Sequence, residues 1–322
     1  MLHSRRDAIF AGLLSLGSTL IRNGVTSATD PDATKTGLPI GFSTYGLPGK
    51  SMESAIELAK RVGYDALEVC VVEGRDQSAD QLSNKRRRTI RRMMRDHDIE
   101  LPSLMENLQP LKSAEQHGMD LDRLKRTSNL AHDLNPSSPP IIQTVLGGKD
   151  WESQKDLLRD RLADWIEIAK SHEVTIAIKP HRGHAMSRPT HAIWLKQQLG
   201  NPPNLKMWFD YSHFVLRDMS IESTIKDSLP MLAGVAVKDA KLVDGRIRFA
   251  LPGESDTIDY KKLLTGLYNA GYREPICVEV SSQVWRQPDY DPVAAMEQSY
   301  VAIANAMTRA GIPKRHQASG WG

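Results

Sequence analysis

Four short apolar runs in the second half of the chain decide the fold class, and each ends in a polar residue. They are Val174-Thr-Ile-Ala-Ile-Lys179, Leu205-Lys-Met-Trp-Phe-Asp210, Leu232-Ala-Gly-Val-Ala236-Val-Lys-Asp239 and Pro275-Ile-Cys-Val-Glu279. Brief apolar runs followed by turn or helix signals are typical of strands buried in a parallel sheet. Their polar ends therefore fall at the carboxyl edge of the sheet, where α/β barrels carry their chemistry.

The same alternation of strands and helices begins at residue 38. Four earlier strand-like segments cover residues 39–45, 66–72, 100–105 and 140–146. Helical spacing follows the strands at residues 52–62, 79–97, 114–134, 152–171, 191–198, 219–228, 260–270 and 292–310. Eight strand–helix pairs predict an α/β fold, a single-domain (β/α)8 TIM barrel. A doubly wound open sheet is the alternative, but no Gly-x-Gly-x-x-Gly turn follows an early strand.

Composition agrees with one large core and argues against a nucleic-acid-binding function. The chain has 322 residues, of which 40% are hydrophobic and 25% charged. A net charge of +3 is too small to indicate a nucleic-acid partner, and the basic run at 85–95 has the spacing of a solvated outer helix face. Cys70 and Cys277 both fall in apolar strand-like runs, where we expect buried thiols rather than a disulfide.

The N-terminus has the features of an export signal. Ser4-Arg5-Arg6-Asp7 precedes an apolar stretch at residues 8–21, which is shorter than the roughly 20 residues a membrane-spanning helix needs. The paired arginines resemble the twin-arginine signal, although Ala8 and Ile9 replace its usual Phe and Leu. We expect a periplasmic or extracellular protein with no membrane attachment after signal removal; a cytoplasmic protein with an amphipathic start is the alternative.

These features divide the chain into three parts. Residues 1–36 are predicted to be export signal and linker, residues 37–312 the barrel, and residues 313–322 a C-terminal tail. Within the barrel, Asp244-Gly245 between alternating residues predicts a β-hairpin in the loop after the seventh strand.

Polar residues at the predicted strand ends form the candidate site. They are Glu68 and Glu73, Glu106 and Asn107, Lys179 with His181 and His184, Asp210 with His213, Lys238 with Asp239, and Glu279. Hard divalent cations prefer carboxylate oxygens, and manganese, cobalt and zinc also accept imidazole. Carboxylates at several strand ends of one barrel are therefore placed to converge on such an ion.

Four motifs together resemble one known family. They are Asp210-Tyr-Ser-His213, Val237-Lys-Asp239, Pro252-Gly-Glu-Ser-Asp-Thr-Ile-Asp259 and Ile276-Cys-Val-Glu279-Val. On these motifs, residues 38–310 resemble the xylose isomerase-like TIM barrel superfamily of sugar isomerases, sugar epimerases and endonuclease IV. The resemblance implies a carbohydrate or polyol as the small-molecule partner. For epimerases of this family it implies one divalent metal held by Glu, Asp, His and Glu, whose two Glu also move the substrate proton.

Carried over residue by residue, only half of that metal site is present. The family's Asp matches Asp210 and its last Glu matches Glu279, but its first Glu falls on Lys179 and its His on Ala236. His213 matches a family histidine that contacts substrate or a second metal. The resemblance therefore implies an altered metal site with one member of the acid/base pair missing.

Counting charges suggests what replaces the ion. The family's four ligands plus a divalent cation sum to one negative charge, and so do Lys179, Asp210, Ala236 and Glu279 without a cation. Our hypothesis is that the Lys179 ammonium lies where the cation would lie, paired with Asp210 and Glu279, since buried carboxylates need a partner. We therefore expect no cofactor. The alternative is a divalent Mn, Co, Mg or Zn ion bound by Asp210, Glu279 and His181, with Glu106 or water.

The leading expectation for function is a sugar isomerase/epimerase-like enzyme. Glu279 would act as base and Lys179 would polarise the substrate carbonyl. The expected substrate contacts are His213, His181, Glu68, Glu106 and Trp208. A non-catalytic carbohydrate-binding pseudoenzyme of the same fold is the alternative. An endonuclease IV-like phosphodiesterase is disfavoured, because it needs three metals and many more histidine ligands.

Overall fold

The barrel is closed by parallel pairing between its first and last strands. The structure, a computed structural model, describes residues 37–314. The barrel strands are β1 Ile40–Ser43, β2 Ala66–Cys70, β3 Ser103–Met105, β4 Ile141–Thr144, β5 Ile176–Ile178, β6 Leu205–Asp210, β7 Leu232–Val237 and β10 Ile276–Val278. They close in the order β1-β10-β7-β6-β5-β4-β3-β2. This confirms the predicted (β/α)8 barrel and excludes the open sheet.

Helices connect the strands and pack around the barrel. They are α1 Met52–Val62, α2 Asn84–Asp96, α3 Ala114–Leu134, α4 Trp151–Ser171, α5 Pro189–Gln198, α6 Ile221–Ser228, α7 Tyr260–Asn269, α8 Ser282–Trp285 and α9 Pro292–Ala310. The prediction started the second helix too early, at residue 79. It begins at Asn84 because Ser83 caps it, its Oγ accepting the Arg86 backbone N–H at 3.4 Å. The short helix α8 was not predicted.

Small and apolar side chains fill the barrel interior below the carboxyl ends of four strands. Ala177, Trp208, Ala236 and Cys277 form this buried cluster. Gly234 makes room for the Trp208 ring, because a Cβ at Gly234 would lie 1.9 Å from that ring. Residues two apart in a strand point to the same side, so the residues two positions further on form the next layer towards the mouth. Both cysteines are buried and free, as expected.

The predicted hairpin is present in the loop after β7. Strands β8 Asp239–Val243 and β9 Arg246–Ala250 pair antiparallel across Asp244 and Gly245, which have φ angles of 50° and 70°. Two positive φ angles are the requirement of a tight two-residue hairpin turn. At the base of the hairpin, Asp239 Oδ2 accepts the backbone N–H groups of Gly253 and Ser255, each at 3.0 Å. These hydrogen bonds join the Val237-Lys-Asp239 motif to the motif at residues 252–259.

Two predictions on chain organisation lie largely outside the described residues. The export signal and linker, residues 1–36, fall outside them altogether, as do residues 315–322 of the predicted tail. The Leu38 backbone N–H donates to the Pro313 carbonyl at 3.2 Å, so the described end of the chain lies beside the start of the barrel. From residue 37 to residue 314, no helix is both long and apolar enough to cross a membrane.

Candidate active site

Four charged side chains form a continuous ionic chain across the carboxyl end of the barrel. Lys238 Nζ donates to Asp210 Oδ2 and, at 2.8 Å, to Glu279 Oε1. Lys179 Nζ donates to the other oxygen of Glu279, Oε2. Along the ionic chain Asp210–Lys238–Glu279–Lys179, negative and positive charges therefore alternate, and the formal charges cancel.

The pleat of the strands produces this arrangement. Lys179, Asp210, Lys238 and Glu279 lie two residues beyond the four members of the interior cluster, on the same side of their strands. Lys179 reaches Glu279 across the barrel mouth, as the charge argument predicted, but its predicted pairing with Asp210 is wrong. Lys238 pairs with Asp210 instead. Sequence reasoning missed this role, although Lys238 stands two residues after Ala236 and so shares its side of β7.

Electrostatics fix the protonation states of the two central residues. Burial disfavours the Lys238 ammonium, but the attraction of Asp210 and Glu279 outweighs it and raises the pKa of Lys238 above its ordinary value. Burial would likewise raise the pKa of Glu279, but Lys179 and Lys238 hold that pKa well below its usual range. Both residues are therefore charged at neutral pH.

Asp210 is satisfied on both of its carboxylate oxygens. Its Oδ1 accepts the Ser212 hydroxyl at 2.6 Å and the Ser212 backbone N–H at 3.1 Å, which caps the short turn Tyr211–His213. Its Oδ2 accepts Lys238. The turn that Asp210 caps brings His213 back beside the ionic chain.

Three histidine rings stack beside the ionic chain. The His181 centroid lies 4.1 Å from that of His184 and 3.9 Å from that of His213. His213 Nε2 is 3.5 Å from both Asp210 Oδ2 and Lys238 Nζ. Burial lowers the pKa of His213 well below its ordinary value and that of His181 to about 3, with Lys238 adding to both shifts. The stack is therefore neutral at physiological pH.

A cavity of about 350 Å³ opens above the ionic chain. Its lining includes four of the predicted site residues, Glu106, Lys179, His181 and Glu279. The lining also includes Asn107 and Trp285, which sequence reasoning had considered, and residues that it did not single out: Tyr45, Val72, Arg75, Met105, Gln143, Val145 and Arg286. Volumes of several hundred cubic ångströms are usual for small-molecule sites.

The other predicted site residues lie below the cavity. Asp210, His213 and Glu68 are fully buried and do not line it. For Trp208 the structure requires a correction: its ring is 1% exposed and fills the barrel interior against Gly234, so it is not placed to stack on a substrate in the cavity. Trp285, in α8, is the tryptophan that lines the cavity.

Glu68, in β2, accepts hydrogen bonds from neutral side chains of β3 and β4. Its Oε2 accepts the Ser103 hydroxyl at 2.7 Å and the Gln143 side-chain amide at 3.2 Å. Burial raises the pKa of Glu68, and the nearby Lys179 only partly offsets this. Glu68 therefore keeps a proton to higher pH than a free glutamate does.

Glu106 lines the cavity, and its carboxylate accepts hydrogen bonds from side chains of α3. Arg123 donates to its Oε2, and the Thr127 hydroxyl donates to its Oε1 at 2.8 Å. Burial raises the pKa of Glu106, with Arg123 acting in the opposite direction. Because α3 supplies both partners, Glu106 is fixed in position as an acceptor at the edge of the cavity.

Comparison with known proteins identifies the family. Residues 56–300 match the family described as xylose isomerase-like TIM barrel. The chain belongs to this family. L-ribulose-5-phosphate 3-epimerase UlaE of Escherichia coli strain K12 is 24% identical over 292 residues, covering 85% of this chain and 97% of the relative. Its similar proteins therefore include a sugar epimerase that aligns over nearly its whole length.

Solved structures of other proteins share the fold. A D-psicose 3-epimerase determined in the presence of D-fructose superposes with a TM-score of 0.68 at 16% identity, covering 85% of this chain and all (100%) of the other. The IOLI protein with a binding zinc atom gives a TM-score of 0.70 at 17% identity, covering 85% and 99%. One protein of this fold has thus been determined with a bound zinc atom.

The residues present in this family member do not fit a metal ion. Lys238 occupies Asp210 Oδ2, and the two lysines together occupy both oxygens of Glu279. Across residues 37–314, no group of three or more His, Cys, Asp and Glu side chains is arranged to hold a metal. The alternative ligand set Asp210, Glu279 and His181 is therefore not assembled. Two ammonium groups lie where a cation would need free carboxylate oxygens.

Proposed function

We propose that this protein is a sugar isomerase/epimerase-like enzyme in which Lys179 and Glu279 move a proton at the carbon next to a sugar carbonyl. The observation that carries the proposal is that these two bonded residues are the members of the ionic chain that line the cavity. The sugar epimerase relative supports a carbohydrate substrate.

Each residue has a defined part in the reaction. The Lys179 ammonium donates to the substrate carbonyl oxygen and stabilises the negative charge that develops there. Glu279 removes the proton from the adjacent carbon as general base. His181, neutral and at the cavity wall, and Glu106, fixed by α3, contact substrate hydroxyls.

Substrate binding activates the base. Glu279 is a weak base while two ammonium groups hold it, because they lower its pKa. When Lys179 turns to the substrate carbonyl, Glu279 loses one of these two partners and its pKa rises towards the ordinary value. Lys238 stays on Oε1 and keeps the carboxylate in place.

The geometry favours isomerisation over inversion. Inverting a carbon centre requires proton removal on one face and return on the other, which the family accomplishes with two glutamates. Here Lys179 replaces one of them, leaving Glu279 as the family's remaining acid/base residue. A single carboxylate returns the proton to the same face on the neighbouring carbon. Together with transfer of the hydroxyl proton of that carbon to the former carbonyl oxygen, this converts an aldose into a ketose or the reverse.

Exchange of carbon-bound hydrogen tests this proposal. Ketoses such as D-fructose and L-ribulose, incubated with the protein in D2O, should gain deuterium next to the carbonyl. Glu279→Gln should reduce the exchange rate by at least about a hundredfold, the usual contribution of a general base. Glu57→Gln, an exposed glutamate on α1, is the matched control and should retain it. Exchange that persists in Glu279→Gln would exclude Glu279 as the base.

One observation favours a second function, that of a non-catalytic sugar-binding protein. The two lysines that hold Glu279 make it a weaker base than a free glutamate. Saturable sugar binding to the wild-type protein, with no hydrogen exchange for any sugar that binds, would establish this function instead.

Metal content tests whether the ionic chain replaces the ion. We propose that no divalent metal is required, since Lys179 and Lys238 already satisfy Glu279 and Asp210. Protein purified without chelator should contain well below one equivalent of Mn, Co, Mg or Zn by elemental analysis. One tightly bound equivalent would refute the replacement.

We also propose that the protein is exported, on the basis of Arg5-Arg6 and the apolar stretch that follows. Cell fractionation should recover mature protein in the periplasm or the medium. The change of both Arg5 and Arg6 to lysine should retain the full-length precursor inside the cell. Unchanged recovery from the cytoplasm in both cases would favour the cytoplasmic alternative.

A further inference from the structure

Two arginines that line the cavity, Arg75 and Arg286, both lie close to the ring of Trp285. The guanidinium carbon of Arg75 lies 5.2 Å from the centre of the Trp285 ring, and that of Arg286 lies 5.1 Å from it. Tyr45 completes the group: its ring meets Trp285 edge to face at 5.5 Å, and its carbonyl accepts Arg75 Nη2 at 3.3 Å. All four residues line the cavity.

Neither arginine has an acidic partner among the described residues. Between residues 37 and 314, no carboxylate lies within 4.0 Å of Arg75 or Arg286. The other charges at the cavity are compensated, because Glu106 pairs with Arg123 and Glu279 pairs with Lys179 and Lys238. The two guanidinium groups therefore give the cavity an uncompensated positive charge.

This charge lies at a different part of the cavity lining from Lys179. Arg75 follows β2 and Arg286 follows α8, whereas Lys179 belongs to the end of β5 on another part of the barrel. A ligand whose carbonyl contacts Lys179 would extend towards Trp285. Two like charges held beside one ring favour a ligand with the opposite charge, and guanidinium groups bind phosphate and carboxylate with two parallel hydrogen bonds.

We infer that the substrate is an anionic sugar, whose phosphate or carboxylate group lies at the end remote from the carbonyl and binds Arg75 and Arg286. The inference rests on the proposed function for the position of the carbonyl. The anion site itself is independent of any turnover, so the two can fail separately. Trp285 and Tyr45 hold the arginines in place and cover the apolar face of the sugar.

A matched series of ligands tests the inference by isothermal titration. D-fructose, D-fructose 6-phosphate and D-fructuronate share the ketose and differ at the far carbon, and inorganic phosphate probes the anion site alone. We expect at least one anionic ketose to bind about tenfold or more tightly than D-fructose, because hydrogen bonds to charged groups are strong. The anionic ketose with the larger gain in affinity over D-fructose shows whether the natural group is a phosphate or a carboxylate.

Substitutions locate the binding. Arg286→Gln and Arg75→Gln should each remove most of the preference for the anionic ketose and leave D-fructose affinity within about twofold. Arg92→Gln, an exposed arginine on α2, makes the same charge change away from the cavity and should have no effect. Arg286 is the cleaner test, because its side chain is exposed and its loss does not disturb packing.

Three outcomes would overturn the inference. Equal affinity for all three ketoses overturns it while leaving the proposed function intact. Anion binding that survives both arginine changes places the anion elsewhere. Failure of inorganic phosphate and both anionic ketoses to bind also overturns it, and Glu279-dependent hydrogen exchange then decides separately whether the proposed reaction stands.

Discussion

Two buried glutamates, Glu68 in β2 and Glu279 at the end of β10, behave in opposite ways although only β1 separates their strands. Glu279 lies between two lysines and its pKa is lowered well below the ordinary value. Glu68 lies among a hydroxyl and an amide, and its pKa is raised because burial is only weakly opposed. The carboxyl ends of β5, β6, β7 and β10 thus form a charged side that carries the ionic chain, whereas Glu68 on β2 accepts from uncharged side chains of β3 and β4.

The contrast shows that burial alone does not decide the charge of a carboxylate. Both residues are removed from water, and the presence or absence of a bonded ammonium decides the outcome. Environments that push the pKa values of two carboxylates apart are a recurrent property of active sites. Substitutions in the ionic chain should therefore cost more unfolding free energy than substitutions around Glu68.

Removal of Lys238 should have the largest effect. Lys238→Met leaves buried Asp210 with no cationic partner and Glu279 with one. Breaking a buried ion pair on one side costs about 3–5 kcal/mol, so urea unfolding at pH 7 should show a loss of that size. Addition of Asp210→Asn should restore part of the stability. A loss below about 1 kcal/mol would show that the ionic chain does not stabilise the fold.

The same substitution on the two glutamates compares the two environments directly. Glu279→Gln leaves Lys238 with Asp210 but removes the carboxylate partner of Lys179, and we expect a loss of about 2–3 kcal/mol at pH 7. Glu68→Gln keeps the shape of a side chain whose partners are a hydroxyl and an amide and whose pKa burial raises, and we expect less than about 1 kcal/mol. Urea unfolding of both variants checks this. Equal losses would remove the distinction between the two environments.

Acid should weaken the charged side through its histidines. The pKa of His213 and that of His181 are lowered in the folded state, so below about pH 6.5 the unfolded chain binds protons that the folded protein does not. Each histidine should therefore cost about 1 kcal/mol of unfolding free energy per pH unit from pH 6 down to pH 4.5. Glu68 and Glu106 act in the opposite sense, because their raised pKa values favour the folded state in acid.

Replacement of one histidine isolates its share of this pH dependence. In His213→Asn, the unfolding free energy measured at several pH values should fall less steeply below pH 6 than in the wild-type protein. The slope is the informative quantity, since the substitution also changes packing. An unchanged slope would mean that His213 titrates normally in the folded protein.

A comparably small effect is expected from loss of the hydroxyl that donates to Glu68. Ser103→Ala removes the hydroxyl that donates to Glu68 Oε2 at 2.7 Å, a loss of about 1 kcal/mol by chemical or thermal unfolding. Because that hydrogen bond lowers the pKa of Glu68, its removal should raise the pKa further. A carboxyl-specific infrared titration of Glu68 in the two proteins would detect the shift, and a lowered pKa would contradict the assigned network.

The sequence predicted most of the fold because its signals are local. Hydrophobic spacing and capping residues placed α1, α3 and α9 within a residue or so of their observed ends, and Asp244-Gly245 located the hairpin. The error at the start of α2 had the same origin, since Ser83 was not recognised as the cap. Closure of the barrel followed from counting strand–helix pairs.

The site was predicted less completely because its partners are set by side-chain direction. Lys179 and Glu279 were recognised and do meet, but the pairing of Asp210 depends on how far Lys238 extends, which the motif alone does not give. Arg75 and Arg286 are more than two hundred positions apart in sequence and come together only through Trp285. No spacing rule joins residues from loops that far apart.

The alternation of charge in the ionic chain has a consequence for evolution. Each charge in the ionic chain is compensated by its neighbours, in the spatial order Asp210, Lys238, Glu279 and Lys179. A change at one position therefore leaves a neighbour with uncompensated buried charge. Descendants of this protein should therefore keep or exchange the four positions as a set. Lysine at position 179 together with a small residue at position 236 would then mark, in a bare sequence, the branch of the family that shares this arrangement.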